Sequence, residues 1–211
     1  APIVFELEEA TYLLGIIAGM MTQTNKIGVV GGQNIPSINS TFLAFEGGVK
    51  AASPQAEVRR AYVGDWENIG KAKEIALAQI NEEIDFIFHN ADAAGRGVFE
   101  AVEIARSSGE NIYCFGSNRD QSEVSPTTIL ASAVISSDSF VRVAKMVKEG
   151  TFEAKSLFMK MSDDEAIKLV YNPKLLAEIP DDVKQKVQEV RRKILAQQIE
   201  VPRIHFGEDD Q

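Results

Sequence analysis

The sequence predicts an α/β fold built on a parallel β-sheet. Between residues 25 and 117, four short apolar segments alternate with stretches of helical periodicity. Such alternation is typical of parallel strands joined by right-handed helical crossovers. The segments at 26–31 and 84–89 have the apolar character of strands that helices cover on both faces. With 211 residues, of which 45% are hydrophobic, the chain has enough apolar surface for one large domain or two small ones.

Each element is predicted from a local pattern. The first residues resemble a strand that has no earlier partner in the chain, and the helix after it contains Gly15, which permits close packing. Pro36 suits the first turn of a helix, Gly109 ends another, and Asp181 complements the dipole at the start of the last. The predicted strands are 1–6, 26–31, 56–63, 84–89, 111–116, 129–135, 157–161 and the end of 164–170. The predicted helices are 8–22, 36–52, 68–81, 95–107, 137–149 and 181–197.

Composition argues against several classes of partner. The net charge is -9 and the isoelectric point is near 4.9, which disfavours nucleic acid and anionic membranes as partners. The sequence has no apolar run of the length, about 18 residues or more, that a membrane-spanning helix needs. Cys114, the single cysteine, has no second thiol for an internal disulfide, and we expect it to be a buried small hydrophobe.

A pair of glycines follows the strand at 26–31. Gly31 and Gly32 leave room for another group to approach the backbone. In open α/β sheets, ligands bind just outside the carboxyl ends of the strands, so we expect both glycines at a ligand site. The alternative is a plain turn, which glycine pairs also form.

Several segments in the same order resemble one known family, the basic membrane protein family of ABC-transporter substrate-binding lipoproteins, which includes purine nucleoside receptors. The segments are EATYLLG at 9–15, AGMMT at 18–22, TNKIGVVGG at 24–32, IP at 35–36, YVGDW at 62–66, KAKE at 71–74 and EVP at 200–202. Each is weak alone, but their order and spacing are specific, and the resemblance extends over essentially the whole chain.

The resemblance implies a periplasmic-binding-protein type I-like fold, in which two Rossmann-like or flavodoxin-like three-layer αβα lobes clamp a ligand. Family members are longer, and the chain lacks roughly their first third, as a truncated gene product or a fragment would. Residues 25–117 are then expected to form one complete lobe. Residues 1–24 and 118–211 are expected to hold the partial first lobe, the crossovers and the C-terminal helix.

Trp66 stands where the family has an aromatic side chain that stacks on a purine ring. Stacking on a heteroaromatic ring contributes about 1–3 kcal/mol per base. The alternative is a half-buried tryptophan that covers the edge of the sheet.

Asn90 and Asp92 lie in the loop after the third strand of the 25–117 segment, before a helix. Nucleoside-binding members have a glycine-rich loop here, so Asp92 is a departure that resembles members taking free purine bases. A carboxylate accepts hydrogen bonds from an exocyclic amine or a ring N–H. The alternative is that Asp92 caps the following helix.

Asn118 and Asp120 follow the fourth strand of that segment. The family's nucleoside binders have an aspartate on the ribose at the position of Asn118, and Asp120 matches a second aspartate that shapes the loop. They also have a lysine where this chain has Ile135. Both differences remove charge-assisted hydrogen bonds, which puts ribose recognition in doubt.

Catalysis is poorly supported by the sequence. His89 and His205 are distant from Cys114 along the chain, and no serine elbow, phosphate-binding loop or metal-ligand spacing is present. The acidic runs 163–165 and 208–210 are expected to be solvated surface. We therefore expect no enzyme activity, no cofactor and no metal.

The resulting hypothesis is a substrate-binding component, or a fragment of one, for an ABC uptake transporter, closing over a purine base or nucleoside. The expected partners are this ligand and an ABC permease, with self-association through exposed sheet edges. The expected location is the periplasm or the outer face of the membrane, with a lipid anchor on the full-length protein. The alternatives are a ligand-sensing or regulatory module of the same fold and an α/β hydrolase acting on nucleosides.

Overall fold

The computed structural model describes residues 2–153, 155–163 and 166–204. Its helices and strands follow the predicted order. The strands are β1 (Ile3–Phe5), β2 (Lys26–Gly31), β3 (Glu57–Tyr62), β4 (Phe86–Asn90), β5 (Tyr113–Asn118), β6 (Ile129–Ile135), β7 (Leu157–Met159) and β8 (Ile167–Tyr171). The α-helices are α1 (Glu8–Met21), α2 (Pro36–Ala52), α3 (Ile69–Asn81), α4 (Arg96–Ser107), α5 (Asp138–Glu149) and α6 (Asp181–Leu195).

Within the described residues, a six-stranded main sheet has the order β3-β2-β4-β5-β6-β8. The first five strands are parallel, and only β8 runs antiparallel, against β6. The strand order reverses direction between β2 and β4, as in doubly wound sheets. The predicted parallel α/β fold is therefore confirmed.

Helices cover both faces of the main sheet. Neighbouring residues of β2 point to opposite faces, so Val29 belongs to the core under α1, α2 and α6, whereas Val30 belongs to the core under α3 and α4. Glycines bring α1 and α2 close together. A Cβ at Gly15 would lie 2.1 Å from the carbonyl oxygen of Phe45, so only glycine fits this crossing.

A second, small sheet pairs β1 with β7 in parallel. The rings of Phe5 on β1 and Phe140 on α5 lie 5.2 Å apart, so α5 packs beside this sheet. In the described part of the chain, the backbone passes between the two sheets after β1, after β6 and after β7. Glu6, in the first of these passages, is buried and forms ion pairs with Lys160 and Arg203.

The main sheet extends beyond the predicted lobe of residues 25–117. Strands β6 and β8 complete the sheet, and α1 and α6 pack on one face. The predicted end at residue 117 is therefore wrong for this sheet, because main-chain pairing continues from β5 to β6. Strand β6 lies between β5 and β8, so it is paired on both sides and is not one of the exposed sheet edges. The small sheet and α5 lie outside the main sheet.

Two strands end later than the sequence predicted. Asn90 and Asn118 are the last residues of β4 and β5 rather than loop residues, because they continue the parallel ladder opposite Gly31 and Val134. His205, the acidic run 208–210 and part of the run 163–165 lie outside the described residues. None of the helices in the described ranges is long and apolar enough to cross a membrane.

Candidate functional site

A groove of about 660 Å³ lies between the small sheet and the carboxyl ends of the main-sheet strands. Its walls combine apolar and polar side chains, as small-molecule sites do. The small sheet and the start of α1 contribute Ile3, Val4, Phe5, Leu7 and Glu8, and the start of α2 contributes Ser37, Ile38 and Thr41. The strand ends and their loops contribute Trp66, Asn90, Asp92, Asn118 and Ile135.

Trp66 is positioned by the turn that follows β3. Its indole lies against Gly32, where a Cβ would be 2.2 Å from Cε3 of the ring. Its carbonyl oxygen accepts a hydrogen bond from the N–H of Ala94 at 2.8 Å, which joins this turn to the turn after β4. The side chain is half-buried and packs beside the main core. It therefore presents a supported aromatic surface to the groove.

Asn90, in the wall of the groove, is held by its neighbours. Its Nδ2 donates to Oγ1 of Thr41 at 3.2 Å, and its Oδ1 accepts from Nδ2 of Asn118 at 3.4 Å. The Thr41 hydroxyl donates in turn to the carbonyl of Ile38 at 2.8 Å. Because an amide nitrogen has two N–H donors, Asn90 retains one for a ligand in a fixed orientation.

Asp92 and Asn118 both have left-handed backbone conformations, with φ of 50° and 67°. This conformation is uncommon outside glycine, although Asn and Asp tolerate it best. Asp92 begins a 3₁₀ turn (Asp92–Gly95) and makes no capping hydrogen bond, and Gly95 is the residue that precedes α4. The capping role considered for Asp92 is therefore wrong. No hydrogen bond or ion pair holds its carboxylate among the described residues.

Three predicted site residues do not line the groove. A Cβ at Gly31 would lie 2.9 Å from side-chain atoms of Ile38 and Tyr62, so this glycine accommodates core packing. Gly32 accommodates the ring of Trp66 rather than direct approach of a ligand. Asp120 accepts hydrogen bonds from the backbone N–H and hydroxyl of Ser122 at 3.0 and 2.6 Å, which orders the loop.

Sequence reasoning missed the wall formed by β1 and the start of α2. Pro36 marked the start of α2, and Ser37 follows it at the helix N-terminus, where backbone N–H groups are free. No comparable signal marked Ile3, Val4 and Phe5, because their place opposite the main sheet depends on pairing with β7, about 150 residues later.

The buried histidine and cysteine lie outside this groove. His89 is fully buried, and burial lowers the pKa of its imidazole to about 4. Burial raises the pKa of the Cys114 thiol to about 12, so it is not an activated nucleophile. No group of three or more His, Cys, Asp and Glu side chains suited to a metal ion occurs in the described ranges.

The comparisons with known proteins agree on one family. The family described as ABC transporter substrate-binding protein PnrA-like matches residues 1–205. Basic membrane protein A2 of Borrelia garinii subsp. bavariensis is 28% identical over 200 residues, covering 94% of this chain and 58% of that protein. The CD4+ T-cell-stimulating antigen of Listeria monocytogenes serovar 1/2a is 31% identical, with the same shares. The chain thus spans less than two thirds of these relatives.

Solved structures agree with the fold. A solute-binding protein of an ABC transporter system from Aeropyrum pernix K1 superposes with a TM-score of 0.85 at 21% identity, over 96% of this chain and 67% of that one. A protein described as a transcriptional activator of the comK gene from Bacillus halodurans superposes with a TM-score of 0.79 at 26% identity, over 93% of this chain and 65% of that one. The periplasmic-binding-protein type I-like fold is therefore confirmed. The predicted resemblance is confirmed as well, and the chain belongs to the family of PnrA-like ABC transporter substrate-binding proteins.

Proposed function

We propose that this chain is the substrate-binding component of an ABC uptake transporter, or a piece of one, and that its ligand is a purine-like heterocycle. The observation that carries the proposal is the convergence of Trp66, Asn90 and Asp92 on one groove between two sheets. One of these side chains offers an aromatic surface, one a fixed amide and one a carboxylate that has no partner among the described residues.

The aromatic surface favours a flat ligand. Trp66 is held by Gly32 beneath the ring and by the hydrogen bond from Ala94 to its carbonyl. An indole whose position is fixed before binding loses little conformational entropy when a ring stacks on it. Stacking of this kind contributes about 1–3 kcal/mol per base.

The polar groups suit the edge of a purine. Asn90 offers an N–H to a ring nitrogen or carbonyl, and the Asp92 carboxylate accepts from an exocyclic amine or ring N–H. Because both groups lie in the groove with Trp66, one planar ligand can use them together. This arrangement supports a nucleobase as the ligand class.

Ribose recognition is weakly supported. Asn118 and Ile135 also line the groove, at the positions where the family's nucleoside binders have an aspartate and a lysine. Neither side chain carries a charge, so a ribose here loses the stronger, charge-assisted hydrogen bonds. We therefore expect a free base to bind more tightly than its nucleoside.

Family membership supports the proposed partners and location. In the full-length protein, two lobes close over the ligand and present it to a permease. We place the protein in the periplasm or at the outer face of the membrane, where a lipid anchor holds it. A second candidate function is ligand sensing without transport, which is favoured by the similar structure described as a transcriptional activator. Stimulation of a permease's ATPase activity by the loaded protein distinguishes the two.

Calorimetry on the chain with adenine, guanine, hypoxanthine and their nucleosides tests the ligand. We expect at least one base to bind more tightly than its nucleoside, and Trp66→Ala to weaken that base by about tenfold or more, as loss of stacking predicts. Asp92→Asn is expected to weaken the same base, and Asp120→Asn is its matched control, because Asp120 does not line the groove. Nucleosides that bind more tightly than every base would overturn the ribose argument, and unchanged affinity in Trp66→Ala would overturn the stacking role.

A further inference from the structure

Residues 201–204, which follow α6, run back across the outer side of α2, and we call them the strap. Pro202 packs on Gly47 of α2, where a Cβ would lie 2.9 Å from Cγ of the proline ring. The N–H of Ile204 donates to Oγ of the fully buried Ser40, also on α2, at 3.0 Å. The strap is therefore fixed to a helix that packs on the main sheet.

The strap also reaches the place where the chain passes between the two sheets. Its Arg203 forms an ion pair with Glu6, which lies between β1 and α1 and is only 6% exposed. Lys160, the residue after β7, approaches the same carboxylate to 3.8 Å. Because a buried carboxylate is costly unless it is paired, Glu6 holds two of the passages between the sheets close to the strap.

Backbone hydrogen bonds join the same two passages to each other. The N–H of Met161 donates to Oε2 of the buried Glu9 at 2.6 Å. The N–H of Glu6 donates to the carbonyl oxygen of Met159 at 2.9 Å. These bonds connect the start of α1 with the end of β7 and the residues after it. The two passages therefore form one unit, and the ion pair of Arg203 connects that unit to the strap.

The chain neighbours of Glu6 belong to the wall of the groove. Phe5 and Leu7 both line it, on the side of the small sheet, whereas Trp66 lines it from the main sheet. Arg203 does not line the groove. Because Glu6 lies between two wall residues, the ion pair that holds Glu6 also fixes how far this wall stands from the strand ends of the main sheet.

We propose that Arg203 is a positioning residue for the ligand site, which it does not touch. Its ion pair with Glu6 holds the wall formed by the small sheet in place before the ligand binds. Without this pair the passages between the sheets open locally, while the main sheet stays folded. A wall that has to be ordered during binding lowers the affinity. The effect on affinity rests on the function proposed above, whereas the local opening can be measured without a ligand.

Amide hydrogen exchange, followed by NMR on the chain without ligand, tests the positioning. The N–H groups of Glu6 and Met161 report opening of the passages, and the amides of β4 report opening of the main sheet. We expect Arg203→Gln to speed exchange of the two reporters about tenfold or more relative to the β4 amides, as loss of a buried ion pair predicts. Unchanged reporters would overturn the proposal. Equal acceleration of the reporters and of β4 would also overturn it, because Arg203 would then stabilise only the fold as a whole.

Three further variants separate the ion pair from other effects. Arg203→Lys keeps the positive charge and is expected to keep both reporters slow. Arg106→Gln is the matched control, because the side chain of Arg106 is ion-paired and 21% exposed, like that of Arg203, but lies at the amino end of β5. It is expected to leave the reporters unchanged relative to β4. Lys160→Gln removes the second cation from Glu6 at a more exposed position. If Arg203→Gln does not fold, reporters that stay slow in Lys160→Gln would overturn the proposal.

Calorimetry with adenine, guanine and hypoxanthine connects the opening to ligand affinity. We expect Arg203→Gln to weaken the tightest of these bases a few-fold and Arg106→Gln to leave its affinity unchanged. Unchanged affinity in Arg203→Gln, despite faster exchange of the reporters, would overturn the positioning role. If none of the bases binds the wild type but the reporters respond as expected, the proposed ligand class is wrong and the role of Arg203 in holding the wall stands.

Discussion

Replacement of His89 tests how strongly burial lowers the pKa of one side chain and how much stability depends on that pKa. Burial lowers the imidazole pKa from its ordinary 6.5 to about 4. Between these values the unfolded chain binds a proton and the folded chain does not, so stability falls as the pH falls. Since each pKa unit corresponds to about 1.4 kcal/mol, the full loss attributable to His89 is about 3 kcal/mol. Between about pH 7.5 and about pH 5, the expected loss is about 2 kcal/mol.

His89→Gln removes this titration and keeps an amide beside Gln121. The assay is urea unfolding at both pH values for the wild type and the variant. We expect the wild type to lose about 2 kcal/mol more than the variant on acidification, whatever the stabilities at pH 7.5. Ile87→Val, also fully buried on β4, controls for packing and is expected to lower stability equally at both pH values. Equal pH dependence in the wild type and His89→Gln would refute the reasoning.

Two further predictions concern a buried carboxyl and an exposed sheet edge. Burial raises the pKa of Glu9, so the stability it contributes is present below its ordinary pKa and is lost as the pH rises. Glu9→Gln is therefore expected to be more stable than the wild type between about pH 4 and pH 7. Equal urea midpoints of the two proteins across this range would contradict this expectation. Phe158, 48% exposed on β7, is expected to promote self-association in light scattering. Phe158→Lys is expected to reduce self-association, whereas Ile104→Lys on α4 is not. A wild type that stays monomeric at every concentration would exclude association through this sheet edge.

The local elements were predictable because their signals are local. The apolar run of β2 and the proline that starts α2 each act within one or two turns of chain. The parallel order of β2 to β5 followed from helices of the right length between the strands. The ends of β4 and β5 were missed by two residues or fewer, because Asn90 and Asn118 are polar residues that nonetheless continue a ladder.

The candidate site was predictable only in part. The convergence of four groove residues needs little beyond strand order, because the carboxyl ends of parallel strands meet at one edge of a sheet. Asn90 and Asn118 end their strands, and Trp66 and Asp92 follow strand ends. The roles of individual glycines were not predictable. Gly32 makes room for the ring of Trp66, which follows a different strand, and no pattern within either segment specifies that contact.

The sequence by itself determined the alternation of strands and helices, the parallel sheet and the family. Those depend on apolar periodicity, on turn residues and on short motifs, all of which are readable along the chain. Only the tertiary structure decided where the main sheet ends, that β1 pairs with β7 across about 150 residues, and that a groove lies between the two sheets. Strand pairs and the walls of a groove bring together residues that are distant in sequence. Which residues meet depends on competition among all compact arrangements of the chain and not on any local preference.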